Sequence, residues 1–354
     1  METGNETEPN ERATSGGRTA ALSEHVRKYL ILYTLLSVAI AIPVGYYSRA
    51  FTASNKELFS NLVIFCAILT IYPSMIQLKT EGFAKQPRSW RPIVASLIYI
   101  FALSPLIAFI LAPSFGNSQI GSGFIIANVV PASSASLGYV LIAGGSIELA
   151  TVLAVVSLAV SIPLIPVLLS FYGSQMSTTI PLDPIMMSVL YILVVPLMVG
   201  QLTRYALLKR KGSEFVNRSS KKYLSLLTML SMLALIFVLV DREASLIIAK
   251  PGIVGYLIGY QSSIIVGVLL LSILVSRMMH LSYEDHQAVA FISVTKNQSI
   301  AAAIAVLALN PVAALAPAVI PMIQPILAII YIHLEKSVKK VFRYKSSRGV
   351  AYGN

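Results

Sequence analysis

A single lysine stands halfway along an apolar run from about residue 286 to 309, in the phrase Phe291-Ile-Ser-Val-Thr-Lys-Asn-Gln-Ser-Ile-Ala301. Its neighbours Thr295, Asn297, Gln298 and Ser299 are all polar. A charge at bilayer depth costs on the order of several kcal/mol unless it faces protein or water. Irregular backbone at that depth occurs only where it is buried in protein or lines a cavity. Lys296 therefore predicts a helix interrupted at Lys296-Asn297-Gln298, with Thr295, Lys296, Asn297, Gln298 and Ser299 binding a substrate or ion near the bilayer midplane. A second stretch has the same character. Pro131-Ala-Ser-Ser-Ala-Ser136 breaks another apolar run, because Pro131 removes a helix hydrogen bond and five small residues follow it. Ser133, Ser134 and Ser136 are its candidate substrate or ion ligands. Plainer roles stand beside these. Lys296 can be a structural cation that donates to carbonyls freed at the Pro131 break, the serines can simply permit close helix packing, and Asn297 can cap the second half-helix.

The elements that must hold these groups are membrane helices. At 56% hydrophobic and 12% charged residues over 354 positions, with mean hydropathy +0.76, the chain is too apolar for a soluble domain. Residues 1–28 are rich in Glu, Thr, Ser, Gly and Arg without an apolar h-region, which predicts a disordered tail and not a signal peptide. Ten apolar stretches follow, at about 29–47, 58–78, 92–114, 119–143, 147–172, 183–206, 223–240, 253–279, 286–309 and 311–334. Each is close to the roughly 20 residues that span a bilayer. A basic loop, 79–91, follows the second. The most basic loop, with bases from Lys209 to Lys222, precedes the seventh, and a charge-balanced link, Asp241-Arg-Glu-Ala, follows it. Glu284-Asp285-His286 opens the ninth stretch and reads as a solvated cap, while Tyr72 with Pro73 reads as a kink.

The net charge of +12 lies on no nucleic-acid-binding motif. With the amino terminus in the cytoplasm, Arg27, Lys28, Lys79, Arg91, the long loop's bases, Arg277 and the carboxyl tail all fall inside, whereas the outer links hold Arg49, Lys56, Arg242 and Lys250. That asymmetry predicts an even number of spans with both termini cytoplasmic.

Cutting the ten stretches after the fifth aligns their irregularities. The fourth of each half is broken, at Pro131 and at Lys296. The helix after it carries a close proline pair in each half, Pro163 with Pro166 and Pro321 with Pro325. The first of each half ends similarly, in Ile42-Pro-Val-Gly45 and Val195-Pro-Leu-Met-Val-Gly200. Five spans per half imply opposite topology, the inverted repeat of many secondary transporters. The expected fold is thus an all-α polytopic membrane protein of about ten helices in two inverted five-helix repeats, with discontinuous fourth and ninth helices. Its divisions are a cytoplasmic tail at 1–28, repeats at 29–172 and 173–334, and a basic tail at 335–354.

Three passages carry a family resemblance. They are Ile71-Tyr-Pro with Leu78-Lys and Trp90-Arg; Pro131-Ala-Ser-Ser-Ala-Ser with Ala143-Gly-Gly-Ser-Ile-Glu-Leu149; and Leu281-Ser-Tyr-Glu-Asp285 with Lys296-Asn-Gln-Ser-Ile-Ala301. In their order and spacing the chain, from about 29 to 334, resembles the bile acid:sodium symporter superfamily, with features of its arsenite permease branch. The resemblance implies a panel domain, a core domain and two discontinuous helices that cross beside the site. It also marks departures. Arsenite permeases carry a cysteine where Ala132 stands and a carboxylate where Ser299 stands. Leu137 and Lys296 occupy the places of an asparagine and a glutamine that help bind sodium in sodium-coupled members.

An ammonium in the place of a sodium-binding amide repels sodium and carries the same single charge. Lys296 is therefore expected to replace the coupling cation in a sodium-independent transporter of a small anionic solute. Burial favours the neutral form of an amine in general, which adds protons to the expected partners. Half-helix amino termini at the two breaks add positive potential. The alternatives are arsenite or antimonite efflux, whose soft ligand is missing, and a membrane-embedded sensor, for which the tails are short. No zinc-binding His-Glu-x-x-His, intramembrane aspartate pair or nucleophile elbow points to an enzyme. No cofactor and no metal site is expected, and one cysteine, Cys66, excludes an intramolecular disulfide. The expected partners are the solute, protons and the lipid of the cell membrane, with no nucleic acid.

Overall fold

The computed structural model describes residues 19–80, 90–175 and 182–342, and helix is their regular secondary structure throughout. Helix α1 (19–28) leads into α2 (Leu30–Tyr47), and a short α3 (Arg49–Ser54) turns the chain into α4 (Lys56–Gln77). Then come α5 (Trp90–Ile98) and α6 (Ser104–Leu111), joined by a π-turn at Tyr99–Leu103, and α7 (Ser118–Val129), α8 (Ala135–Ile142) and α9 (Ile147–Gln175). After α10 (Leu182–Val189) and a second π-turn, α11 (Val195–Glu214), α12 (Ser220–Ala249) and α13 (Pro251–Met278) follow. The chain continues as α14 (Tyr283–Val294), α15 (Gln298–Ala308), α16 (Leu315–His333) and α17 (Glu335–Phe342).

Among the described residues, seven continuous helical runs are long and apolar enough to cross a membrane. One of them, Leu182–Ala249, is 68 residues long and changes direction at Gly212, whose φ of 78° only glycine adopts without strain. The remaining apolar helices are the interrupted pairs α7 with α8 and α14 with α15. The protein is an all-α polytopic membrane protein.

Burial separates helices that look alike in sequence. α2 is strongly apolar, yet it buries only Thr34, Ala41 and Gly45, and Leu32, Leu35, Leu36 and Ile40 face outward. α14 and α15 are the reverse. Every residue from His286 to Lys296 and from Gln298 to Ala305 is buried, which puts this pair at the centre of the protein. α12 lies against α2 and α4, and α11 against α4. α7, α13, α14, α15 and α16 pack among themselves, and they meet the first group where α15 crosses α4 and α16 crosses α12. Gly123 lets α7 approach the turn that precedes α16. A Cβ there would sit 1.8 Å from the Ala313 carbonyl oxygen.

Four expectations are corrected. Residues 19–28, read as disordered, are helical, and Val26 packs against Leu226 and Met229. The basic segment between the sixth and seventh stretches is not a loop; its polar residues continue α11 and open α12, with Gly212 as the bend. Asp241-Arg-Glu-Ala is not a link either. It lies inside α12 with Asp241 and Glu243 buried, and the Arg242 guanidinium donates to Ser60 Oγ at 2.9 Å. His286 is fully buried, not solvated, while the cap is supplied by Ser282, whose Oγ accepts from the Asp285 amide at 3.1 Å. Part of the loop at 79–91 and of the turn at 173–181 lies outside the described residues. Tyr72 ties α4 to α11 through its hydroxyl, 2.9 Å from Thr203 Oγ1.

Candidate functional site

The two helix breaks have different local causes. α7 ends because Val130 precedes Pro131, and a residue before proline is driven to extended backbone; Val130 has φ −70° and ψ 156°. No proline lies between α14 and α15. There Thr295 turns extended and Asn297 restarts the helix, its Oδ1 accepting from the Ile300 amide at 3.3 Å.

Each break satisfies the backbone of the other. The Ser133 amide donates to the Thr295 carbonyl at 2.8 Å, and the Asn297 amide donates to the Pro131 carbonyl at 2.9 Å. Ala132 and Lys296 thus form a one-residue antiparallel bridge where the helices cross. The peptide groups of Lys296 itself are clamped by Gln324 of α16. Its amide donates to Gln324 Oε1 at 3.0 Å, and its carbonyl accepts from Gln324 Nε2 at 3.2 Å. Buried backbone polar groups need such partners, above all where water is excluded.

Lys296 is 2% exposed, and its Nζ donates to the Ile100 carbonyl at 2.8 Å. That carbonyl is free for a traceable reason. In an α-helix it would accept from the Ser104 amide, but Ser104 instead bonds the Tyr99 carbonyl in the π-register. The next residue, Pro105, has no N–H to offer. The π-turn, a feature common at functional sites, therefore presents one backbone acceptor toward the crossing. Among the described residues no carboxylate pairs with Lys296. As a structural cation Lys296 was expected to serve carbonyls freed at the Pro131 break; it serves one in the π-turn after α5.

The other candidates divide by accessibility. Thr295, Gln298, Ser299, Ser136 and Pro131 are buried. Gln298 Nε2 donates to the Ala127 carbonyl at 3.1 Å, whereas its Oε1 and the Thr295 hydroxyl have no protein partner. Ser136 Oγ donates to the Ser133 carbonyl. Ser133 and Asn297 are half-buried and Ser134 is exposed, its Oγ donating to Ser74 Oγ of α4 at 3.2 Å. Ser133, Ser134 and Asn297 are therefore the accessible members of the set, with Ser134 tied to the buried Ser74. Ser134 also stands at the start of α8, where its side chain makes no cap bond.

Over residues 63–250 the sequence matches the family described as the sodium bile acid symporter family. The chain belongs to that family. A protein of Synechocystis sp. described as an uncharacterized transporter is 26% identical over 348 residues, covering 89% of this chain and 88% of its own length. Both findings make this sodium bile acid symporter family member a membrane transport protein and not an enzyme. Four contributors to the site lay outside the sequence reading: Ile100 with Pro105, Gln324, Ser74 and the reciprocal amide pair of Asn128 and Gln261. In that pair Asn128 Nδ2 donates to Gln261 Oε1 at 3.0 Å, beside the Gln298 contact on α7. Gln324 did leave a signal, as a lone amide between Pro321 and Pro325 in an otherwise apolar stretch. A backbone carbonyl such as that of Ile100 leaves none of its own; only the proline five residues on hints at it.

Proposed function

We propose that this family member is a secondary transporter that moves a small anionic solute by alternating access, without sodium, and that Lys296 occupies the place of the coupling cation. The observation that carries this reading is the buried Lys296 Nζ bound to the orphaned Ile100 carbonyl at the crossing of the two broken helices. A main-chain carbonyl is the kind of ligand a hard monovalent cation takes, and here an ammonium takes it. Leu137, in the place of a sodium-binding asparagine, offers no side-chain oxygen. The solute would bind on the open side, at Ser133, Ser134 and Asn297, with Thr295, Ser136, Gln298 and Ser299 behind them and Pro131 holding the break. The amino-terminal end of α8, where Ser133 Oγ accepts from the Ala135 amide at 3.3 Å, carries positive potential that favours an anion. The two halves, 29–172 and 173–334, are read as inverted repeats that rock about this site, in the cell membrane with both termini cytoplasmic. Arsenite or antimonite efflux is less well supported, because the one thiol, Cys66, is buried within α4.

The test has two stages. A thermal-shift screen of short carboxylates, bile acids and arsenite on the purified protein selects the solute. Flux into proteoliposomes is then measured in sodium and in choline buffer. Equal flux in both, lost in Lys296→Ala, is expected. A strict requirement for a sodium gradient refutes the reading.

A further inference from the structure

A groove of ≈ 290 Å³ runs between α13 and α16 on the outer face of the protein and is closed at one end by α17. Leu270 and Ile273 form one wall, Leu327 and Ile330 the other, and Val338 with Val341 the end. Leu270 is 64% exposed and Ile330 51%, so this apolar trough opens toward the bilayer. The α13 wall spans about 10 Å of helix between positions 266 and 273, enough for a segment of one acyl chain.

Charge gathers where the groove ends. On α13 the spacing Leu270, Ile273, Arg277 keeps one helical face, so an exposed arginine lies one turn beyond the apolar wall. On α17, Lys340 stands one turn (i, i+3) from the lining residue Ser337 and Lys336 one turn (i, i+4) before Lys340; both lysines are exposed. Glu335 is matched by Lys339, which leaves no carboxylate paired with Lys336 or Lys340 among the described residues. An apolar trough ending in three cations complements one bilayer component, a lipid with an anionic headgroup.

The groove is also wired to the interrupted helix. Tyr331 lines it, and its hydroxyl meets His286 Nε2 at 2.7 Å. His286 Nδ1 meets Ser276 Oγ of α13 at 3.1 Å, and the Phe342 ring of α17 stacks on the imidazole at 4.6 Å. His286 belongs to α14, the first half of the helix that Lys296 interrupts.

We infer that this groove is a specific seat for an anionic phospholipid, one acyl chain between α13 and α16 and the phosphate against Arg277, Lys336 and Lys340. Occupancy holds α17 down on His286 and so steadies α14. The seat is independent of the role given to Lys296.

Native mass spectrometry of the delipidated full-length protein, titrated with phosphatidylglycerol, phosphatidylcholine or inorganic phosphate, tests it, with thermal shift in parallel. Phosphatidylglycerol should bind and raise the unfolding temperature, while phosphatidylcholine and phosphate should do neither. Lys336→Gln with Lys340→Gln should weaken phosphatidylglycerol binding about 30-fold, because each base near an anionic surface contributes roughly 1 kcal/mol. Ile330→Trp, which fills the trough, should weaken it with the lysines intact. Equal binding of both lipids, an unchanged double variant, or a shift reproduced by free phosphate overturns the proposal. So do dimers that Ile330→Trp dissolves, since they would make a second copy the occupant.

Discussion

Replacing Lys296 by methionine separates a functional cation from a structural strut. Methionine is of similar length, apolar and flexible enough to fill the same space. Two opposed terms decide the outcome. Losing the ammonium leaves the Ile100 carbonyl without a donor, because Ser104 is committed to Tyr99 and Pro105 has no N–H. A buried unsatisfied carbonyl costs about 1–3 kcal/mol. Against this, Lys296 is 2% exposed with a single hydrogen bond and no carboxylate. An ion so placed carries an effective desolvation penalty on the order of several kcal/mol, of which one charged hydrogen bond returns about 1.5–3 kcal/mol. Removing the charge therefore roughly cancels the orphaned carbonyl. Lys296→Met is expected to match the native protein in stability to within about 1 kcal/mol, and to be inactive in transport. Thermal unfolding in nanodiscs, read beside solute flux in proteoliposomes, provides both quantities. A variant destabilised by about 2 kcal/mol or more would show that Lys296 is retained to hold the crossing together, and would falsify the functional assignment.

Two further substitutions probe the supports of the same side chain. Pro105→Ala restores an amide to the helix, allows the Tyr99–Leu103 turn to return to α-register and gives the Ile100 carbonyl back to Ser104; proline in a helix interior costs roughly 3 kcal/mol. Transport should fall while thermal stability holds or rises, and unaltered flux would separate the π-turn from function. Gln324→Leu strands the amide and the carbonyl of Lys296 together, a loss of about 2–6 kcal/mol at 1–3 kcal/mol for each group. Hydrogen exchange at residues 295–298 should accelerate ahead of the rest of α14 and α15, and uniform protection would mean that the bridge to Ala132 suffices.

Some of this protein could be read without coordinates, and the reason is local. Pro131 dictates an extended Val130 wherever it occurs, so the break after α7 was legible. Lys296 in an apolar run demanded a polar surrounding, so the break after α14 was legible too, although nothing in Thr295-Lys296-Asn297 forbids a helix. Runs of apolar residues announced the spans because bilayer thickness sets their length. The same logic failed at Lys209–Lys222 and at Asp241–Ala244. Charged residues suggested loops there, but helices keep their backbone bonds beyond the apolar zone and carry charges at no backbone cost.

What only the tertiary structure decided is which partners answered those local demands. α2 and α14 are both apolar, and their sequences do not say that one faces outward and the other is enclosed. Lys296 could have served any free carbonyl. Its acceptor is Ile100, roughly two hundred residues earlier, and its backbone is held by Gln324 on α16. Composition sets the cost of burying a charge or a peptide group, whereas the group that meets the cost is chosen by how distant helices cross.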